Sequence, residues 1–243
     1  MSEFTLMVKT IARPDCLERL LVSVRKFYPD MPVVVTDDSK EPYPEVSQRL
    51  GYLNHHVMPF DTSAPACYNF MLERIQTRYM ILADDDMIFT EDTRIDLWVP
   101  FLNAGIFDVL GGAVKARRNG SYANYVGDLT FENSGRRLIL RRKVADARKI
   151  TVPLKADVCM NFFGAKTDRI RMCPWDGDLK IYRHLDWFMT AKEVGLKVGY
   201  HPGVEAIHDH RPGLPYYMEL RHGRIPDGKQ QFMDKRGLTE VID

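Results

Sequence analysis

Three adjacent aspartates, Asp84-Asp85-Asp86, follow the apolar run from Tyr79 to Ala83. Carboxylates set side by side repel one another, so at the end of a buried strand something must offset their charge, and a divalent cation held by oxygen ligands does this. Mg2+ or Mn2+ bound through one or two carboxylates also bridges substrate phosphates, so a nucleoside diphosphate would complete its shell. The plainer reading is a helix cap and surface turn, because a helix is expected to start near Phe89-Thr90-Glu91-Asp92. The apolar strand directly before the triplet favours the metal.

Four other groups could work beside it. Asp37-Asp38-Ser39 ends a second apolar run, where carboxylates either accept hydrogen bonds from a base or ribose or close an Asx turn. His208-Asp209-His210 ends the last expected strand. His208 there is placed to give a nitrogen ligand to the metal held by Asp86, while His210 is expected to point elsewhere. Asp186, in His184-Leu185-Asp186-Trp187-Phe188, lies in the first turn of a helix. A carboxylate there complements the helix dipole, and it is also rigid enough to serve as a general base for a hydroxyl. Trp175 and Asp176 lie in the loop upstream, where an indole stacks on a sugar face and a carboxylate grips hydroxyls, or where both simply pack the loop.

The elements that must position these groups alternate through the first half. Strands are expected at Phe4 to Lys9, Met31 to Thr36, Leu53 to Met58 and Tyr79 to Ala83. Helices are expected at Asp15 to Phe27, started by Pro14, and at Ala66 to Gln76. This alternation predicts an α/β fold with a mixed, mostly parallel central sheet flanked by helices, whose ligands sit beyond the carboxyl ends of the strands. After about residue 105 the pattern changes to strands at Ile106 to Val114, Tyr122 to Phe131 and Arg137 to Lys143, read as a smaller antiparallel part. The basic run Arg136, Arg137, Arg141, Arg142 and Lys143 is read as a solvated strand face rather than an anion site. A strand at Ala156 to Phe163, a helix at His184 to Val194 and strands at Lys197 to Tyr200 and Val204 to His208 complete the pattern. The tail from Gly213 shows little periodicity.

Length and composition bound the rest. The 243 residues suit a single domain, read as a nucleotide-binding half (1–105), an acceptor half (106–212) and a C-terminal tail (213–243). The net charge of +1 gives no reason to expect a nucleic-acid partner. The four cysteines are widely spaced, without C-x-x-C, which argues against a zinc knuckle or a disulfide scaffold. No apolar stretch approaches the roughly eighteen residues of a membrane span, and the N-terminus lacks a signal-peptide pattern. The expectation is a cytoplasmic chain, or a catalytic domain excised from a longer one, of undetermined oligomeric state.

Taken in order, Thr10-Ile11-Ala12-Arg13-Pro14, Val35-Thr36-Asp37-Asp38-Ser39, Ala66-Cys67-Tyr68-Asn69 and Tyr79 through Asp86 resemble the nucleotide half of GT-A (Rossmann-like) glycosyltransferases. Asp157-Val158-Cys159-Met160-Asn161-Phe162-Phe163, Trp175-Asp176, Leu179-Lys180 and His184 through Phe188 are similar to the beta-1,4-N-acetylgalactosaminyltransferases that build gangliosides. The resemblance implies an inverting, metal-dependent transfer of a sugar (GalNAc, GlcNAc or Gal) from a UDP-sugar to a hydroxyl of a glycan or glycoconjugate. It implies that Asp84 meets the ribose or the metal, that Asp86 and His208 hold Mn2+ or Mg2+, and that Asp37 or Asp38 meets the uridine. Thr10, Arg13, Asn69 and Asp85 fall along the donor in the same motifs, Asp186 becomes the base, and Trp175 and Asp176 face the acceptor. Two positions depart from the pattern: Arg183 stands where an acidic residue is expected before the histidine, and Tyr68 where an arginine commonly precedes the asparagine.

Two other classes fit the residues less well. An aspartate-nucleophile phosphatase also carries D-x-D after a strand, but after the first strand and followed closely by Thr or Val, whereas here the triplet ends the fourth strand and Ile88 stands at that place. A non-catalytic carbohydrate- or nucleotide-binding domain would tolerate loss of Asp84, Asp86, Asp186 or His208, and all four are present.

Overall fold

The computed structural model describes residues 3–123, 125–143, 152–211, 213–222 and 225–242. The strands are β1 (Phe4–Thr10), β2 (Val33–Asp37), β3 (His55–Val57), β4 (Tyr79–Asp84), β5 (Met87–Ile88), β6 (Val109–Ala116), β7 (Gly127–Glu132), β8 (Arg137–Arg142), β9 (Leu154–Lys155), β10 (Phe162–Lys166), β11 (Val198–His208) and β12 (Glu240–Ile242). The helices are α1 (Pro14–Phe27), α2 (Pro44–Arg49), α3 (Ala64–Leu72), α4 (Val99–Asn103), α5 (Thr167–Arg171), α6 (Arg183–Glu193), α7 (Pro215–His222) and α8 (Ile225–Arg236).

The main sheet runs β3-β2-β1-β4-β10-β6-β11-β5, with β9 also on β11. The run β3-β2-β1-β4 is parallel, β10 enters antiparallel between β4 and β6, and β11 runs parallel to β6. Successive side chains of a strand point to opposite faces, so each apolar run feeds two cores. Leu6, Val8, Val33, Val35 and Ile81 pack toward α1, while Met7, Val34, Met80 and Leu82 pack with residues of α3 and α6. The carboxyl ends of β1, β2 and β4 thereby share one edge, which carries Thr10, Asp37 and Asp84.

Two local features bring the end of β11 to that edge. The β11–β6 register shifts between His201 and Glu205, across Pro202 and Gly203. Proline cannot donate to the ladder, and a bulge bends the strand and re-aims the residues after it. Beyond the bulge His208 pairs with Met87 of β5, directly after Asp86. At the other side of the sheet, β10 approaches Trp98 so closely that a Cβ on Gly164 would sit 2.5 Å from the indole.

The second half differs from expectation in several places. The stretch 106–143 is not one antiparallel unit: β6 joins the main sheet, and only β7 and β8 form a hairpin, closed by Asn133, Ser134 and Gly135 at φ of 50°, 54° and 85°. The expected strand from Ala156 begins only at Phe162, because residues 156–158 bond to Val198 and Gly127 while crossing between sheets. The helix expected near 89–92 starts as a 3-10 turn at Ile95. The strands at 197–200 and 204–208 are one bulged strand. Of the basic run, Arg137, Arg141 and Lys143 pair with Glu132, Glu240 or Asp128, which agrees with a solvated face. The tail is ordered as α7, α8 and β12, the last running parallel to β8.

The tail folds through a few buried contacts rather than a continuous apolar stripe. Phe232 of α8 is fully buried and stacks on Tyr182 at 5.3 Å and 10°. Phe232→Ala is expected to cost about 3–5 kcal/mol of unfolding free energy, read from urea melts. A loss below about 1 kcal/mol would mean the tail does not support the domain.

Candidate active site

The aspartate triplet divides as it leaves β4. Asp85 is fully buried; it accepts from Thr10 Oγ1 at 2.7 Å and from the Arg13 guanidinium. Asp86 accepts from Arg13 Nη1 at 2.7 Å and lies 3.2 Å from His208 Nε2 and 3.5 Å from His210 Nδ1. Asp84 lines the cleft above. Burial pushes Asp85 up to about 6 against the pull of Arg13, and raises Asp84 together with the charge of Asp86. Burial would also raise Asp86, but the His208 hydrogen bond and Arg13 hold it well below the usual carboxylate range. The same bond raises His208.

A metal fits this arrangement. Asp86, His208 and His210 each offer one ligand atom, all within 4.8 Å of one another. Asp86 Oδ1 is buried without a hydrogen-bond partner, an orphan of the kind an ion satisfies. Two imidazoles beside a carboxylate suit Mn2+ better than Mg2+, which prefers an all-oxygen shell. His210, expected to point elsewhere, converges with His208; the i, i+2 spacing on extended chain was the available signal.

The cleft beside this cluster has a volume of about 220 Å3. It is lined by Lys9, Arg13, Asp61, Lys180, Arg183 and Tyr217 among others. Thr10 is buried between Asp85 and Tyr43 and forms part of the support of the triplet. Arg13 is held over the Tyr217 ring at 4.9 Å. Gly213 approaches so closely that a Cβ would stand 2.7 Å from Arg13 Cγ, and its φ of +71° also favours glycine.

Several expected ligand contacts have protein partners instead. Asp37 accepts from Ser39 N at 2.9 Å and Tyr43 N at 2.8 Å, closing the turn after β2. These bonds and His55 lower its carboxyl despite burial. Asp38 is fully buried 2.7 Å from Lys9 Nζ, and burial pushes it up to about 6. Asn69 clamps the backbone of Trp175 in both directions, at 2.8 and 3.0 Å. Trp175 is 5% exposed and stacks on Trp187 at 4.9 Å, so its indole is a packed wall and not an open sugar platform. Asp176 pairs with Lys235. Asp186 is 2% exposed; Arg236 Nε donates to it at 2.6 Å, Lys235 lies at 3.4 Å, and it lines neither this cleft nor the cavity next to it. The C-terminal tail supplies both cations, so no local pattern around Asp186 revealed the clasp.

That neighbouring cavity, of about 430 Å3, meets the first at Asp84 and is lined by Tyr125, Arg142, Asn161, Tyr182 and His184. His184 Nε2 lies 2.5 Å from the Cys159 carbonyl, which can only accept, so Nε2 carries the proton and Nδ1 the lone pair. Burial, reinforced by Arg183, pushes this imidazole down to about 4 even though the carbonyl opposes the shift.

The buried imidazole ties stability to pH. The unfolded chain binds a proton at His184 near the ordinary pKa of about 6.5, the folded chain only near 4. The stabilisation is therefore complete above about pH 6.5 and is lost as pH falls toward 4. In that window, His184→Gln is expected to flatten the pH slope of unfolding free energy by up to about 1.4 kcal/mol per pH unit, read from urea melts at a pH series. Parallel slopes for the two proteins would contradict it.

No protein-family model matches the chain. Human beta-1,4 N-acetylgalactosaminyltransferase 1 is 32% identical over 219 residues, covering 87% of this chain and 40% of that protein. Mouse beta-1,4 N-acetylgalactosaminyltransferase 2 is 32% identical over 212 residues, covering 85% and 39%. The chain thus spans about two fifths of the length of these relatives. Among solved structures, GalNAc-T7 with UDP, GalNAc and Mn2+ superposes with a TM-score of 0.64 at 13% identity, covering 85% of this chain and 44% of that one. S. aureus TarS 1-349 in complex with UDP-GlcNAc superposes with a TM-score of 0.63 at 16% identity, covering 88% and 60%. The strand order, the acidic triplet at the sheet edge and the sequence likeness agree: the chain has the GT-A glycosyltransferase fold and is related, over most of its length, to the beta-1,4 N-acetylgalactosaminyltransferases.

Proposed function

We propose that this chain transfers a sugar from a UDP-sugar to a hydroxyl of a glycan or glycoconjugate, with inversion and with a divalent metal. The observation that carries this reading is the convergence of His208 and His210 on Asp86 Oδ2, beside an Oδ1 that is buried without a hydrogen-bond partner, in a cleft lined by Lys9, Arg13, Lys180 and Arg183. UDP and Mn2+ in one structural neighbour and UDP-GlcNAc in another support UDP and an N-acetylhexosamine as the donor class. The names of the sequence relatives support GalNAc in particular.

Bound at Asp86, His208 and His210, Mn2+ or Mg2+ would stabilise the negative charge that grows on the departing diphosphate. The chain's own groups do the rest. Lys9, Arg13 and Lys180 line the cleft as the cationic halves of ion pairs with Asp38, Asp85 and Asp86, and Asp61, and Arg183 lines it beside them. Asp84, which lines both cavities, marks the junction where the donor sugar meets the acceptor. The acceptor hydroxyl approaches through the second cavity, between Tyr125, Arg142 and Tyr182, and attacks the anomeric carbon opposite the diphosphate.

Two residues compete for the role of base. Asp186, assigned by the resemblance, is closed on Arg236 and Lys235, and the distances favour a positioning role through α6. With the clasp closed, His184, which lines the second cavity and keeps a lone pair on Nδ1, is the other basic group of the same helical turn. Asp186→Asn is then expected to lower Tm by several degrees while leaving a measurable transfer rate. A 10²–10⁴-fold loss of transfer at unchanged Tm would restore Asp186 as the base.

The donor site is tested by calorimetric titration with UDP. Mn2+ is expected to tighten UDP binding at least tenfold in the wild-type protein and to have no effect in Asp86→Ala. Absence of UDP binding with and without Mn2+ would overturn the UDP-sugar reading.

A further inference from the structure

Four cations line the first cleft, and three of them are neutralised within the protein. Lys9 lies 2.7 Å from Asp38, Lys180 lies 2.6 Å from Asp61, and Arg13 bridges Asp85 and Asp86. Arg183 is the exception: among the described residues no carboxylate stands within ion-pair distance of its guanidinium. Its Nη1 donates to the Lys180 carbonyl at 3.1 Å, it also meets the Tyr68 hydroxyl, and its Nε is buried with no hydrogen-bond partner.

The position carries three local costs for an arginine, offset in part by the charge of Asp84, which lies beyond ion-pair distance, and by Tyr68. Arg183 is the first residue of α6, where the helix dipole disfavours positive charge. The preceding Tyr182 is held at φ 57°, left-handed backbone that costs a non-glycine residue about 1–3 kcal/mol. An enclosed charge without a directly paired counter-charge adds a desolvation cost. It also stands where the resemblance leads one to expect an acid. A ligand that supplies negative charge and acceptor oxygens would offset all of this, and a guanidinium matches phosphate oxygens in a planar, two-pronged way.

We propose that Arg183 binds the diphosphate of the nucleotide donor, giving this chain a hold on that group that does not depend on the metal. The proposal rests on the donor-site reading above and deepens it: part of the charge on the departing nucleoside diphosphate is carried by a fixed side chain on α6. Tyr68 and the Lys180 carbonyl aim the guanidinium, so Arg183 is pre-positioned before any ligand arrives.

The test is titration of the EDTA-treated protein with UDP, uridine and inorganic pyrophosphate. In the wild type, UDP is expected to bind at least tenfold more tightly than uridine, and pyrophosphate to compete with it. Arg183→Gln should remove most of that difference while changing uridine affinity less than twofold and leaving Tm equal or higher, since the orphan charge is gone. Arg183→Lys, a second variant that keeps the charge, should retain part of it. If metal-free wild type binds UDP no better than uridine while Mn2+ restores tight UDP binding, the Arg183 proposal falls and the donor site stands. If UDP fails under every condition but pyrophosphate binds in an Arg183-dependent way, the oxyanion site stands and the UDP reading falls. Pyrophosphate and UDP binding unchanged in both variants overturns the proposal outright.

Discussion

Three carboxylates cannot end a buried strand side by side unless their charge is divided among partners, and this requirement shapes the rest of the cleft. The turn after β4 sends Asp85 inward, to Thr10 and Arg13, and leaves Asp84 and the buried Asp86 facing the cleft. Arg13 then joins Asp85 to Asp86, so one guanidinium secures the triplet to the loop after β1. With Arg13 fixed, Asp86 meets the two histidines at the end of the bulged strand β11 through the same oxygen, Oδ2, and its Oδ1 is left buried without a partner. Burial accounts for the raised Asp84 and Asp85, and the histidine and arginine partners for the lowered Asp86. Adjacent carboxylates thus have different protonation preferences, as separate roles require.

The cleft walls are held in conformations that their own residues disfavour. Ala12, Asp61 and Tyr182 all carry left-handed φ, between 57° and 61°. Each is constrained from outside its segment: Ala12 by Ser39 Oγ on its N–H and by Leu214 N on its carbonyl, Asp61 by the Asp38 carbonyl and Lys180, and Tyr182 by the Phe232 ring. Backbone strain persists where the surroundings over-determine it, and such places cluster at functional sites. Much of that constraint comes from the C-terminal segment, which covers the cleft with α7 and fastens α6 with α8. Arg236 bonds both the carboxylate and the carbonyl of Asp186 and reaches Glu193 at 3.1 Å, so the helix that carries Arg183 and His184 is anchored along its length.

The two cavities are physically adjacent but differently built. The first is made of charged groups paired across loops; the second has Tyr125, Tyr182 and His184 with Arg142 among them. Among the described residues that line them, they share only Asp84. The first is lined by the segments that follow β1, β3 and β4 together with residues from 180 onward, and the second mostly by the region after β6. Among the described residues no helix is long and apolar enough to cross a membrane.

Apolar runs ending in acidic residues, Tyr79 to Asp84 and Val33 to Asp37, were enough to read the parallel half of the sheet and the position of the candidate ligand Asp86. Buried strands and their ends are determined locally, by hydrophobicity followed by charge. The partners of those charges were not legible, because they come from distant segments. Asp186 has the residue type and helical position of a base, yet Lys235 and Arg236, about fifty residues later, close on it. Trp175 has the type of a sugar platform, yet Trp187 and Tyr68 enclose it. The tail lacked periodicity because α8 is fixed by single contacts, Phe232 and Arg236, and by no apolar stripe. Sequence therefore determined which groups stand at the strand ends, while tertiary packing decided which remain free to meet a ligand, since an ion pair or a stacked ring depends on separation in space and hardly at all on separation along the chain.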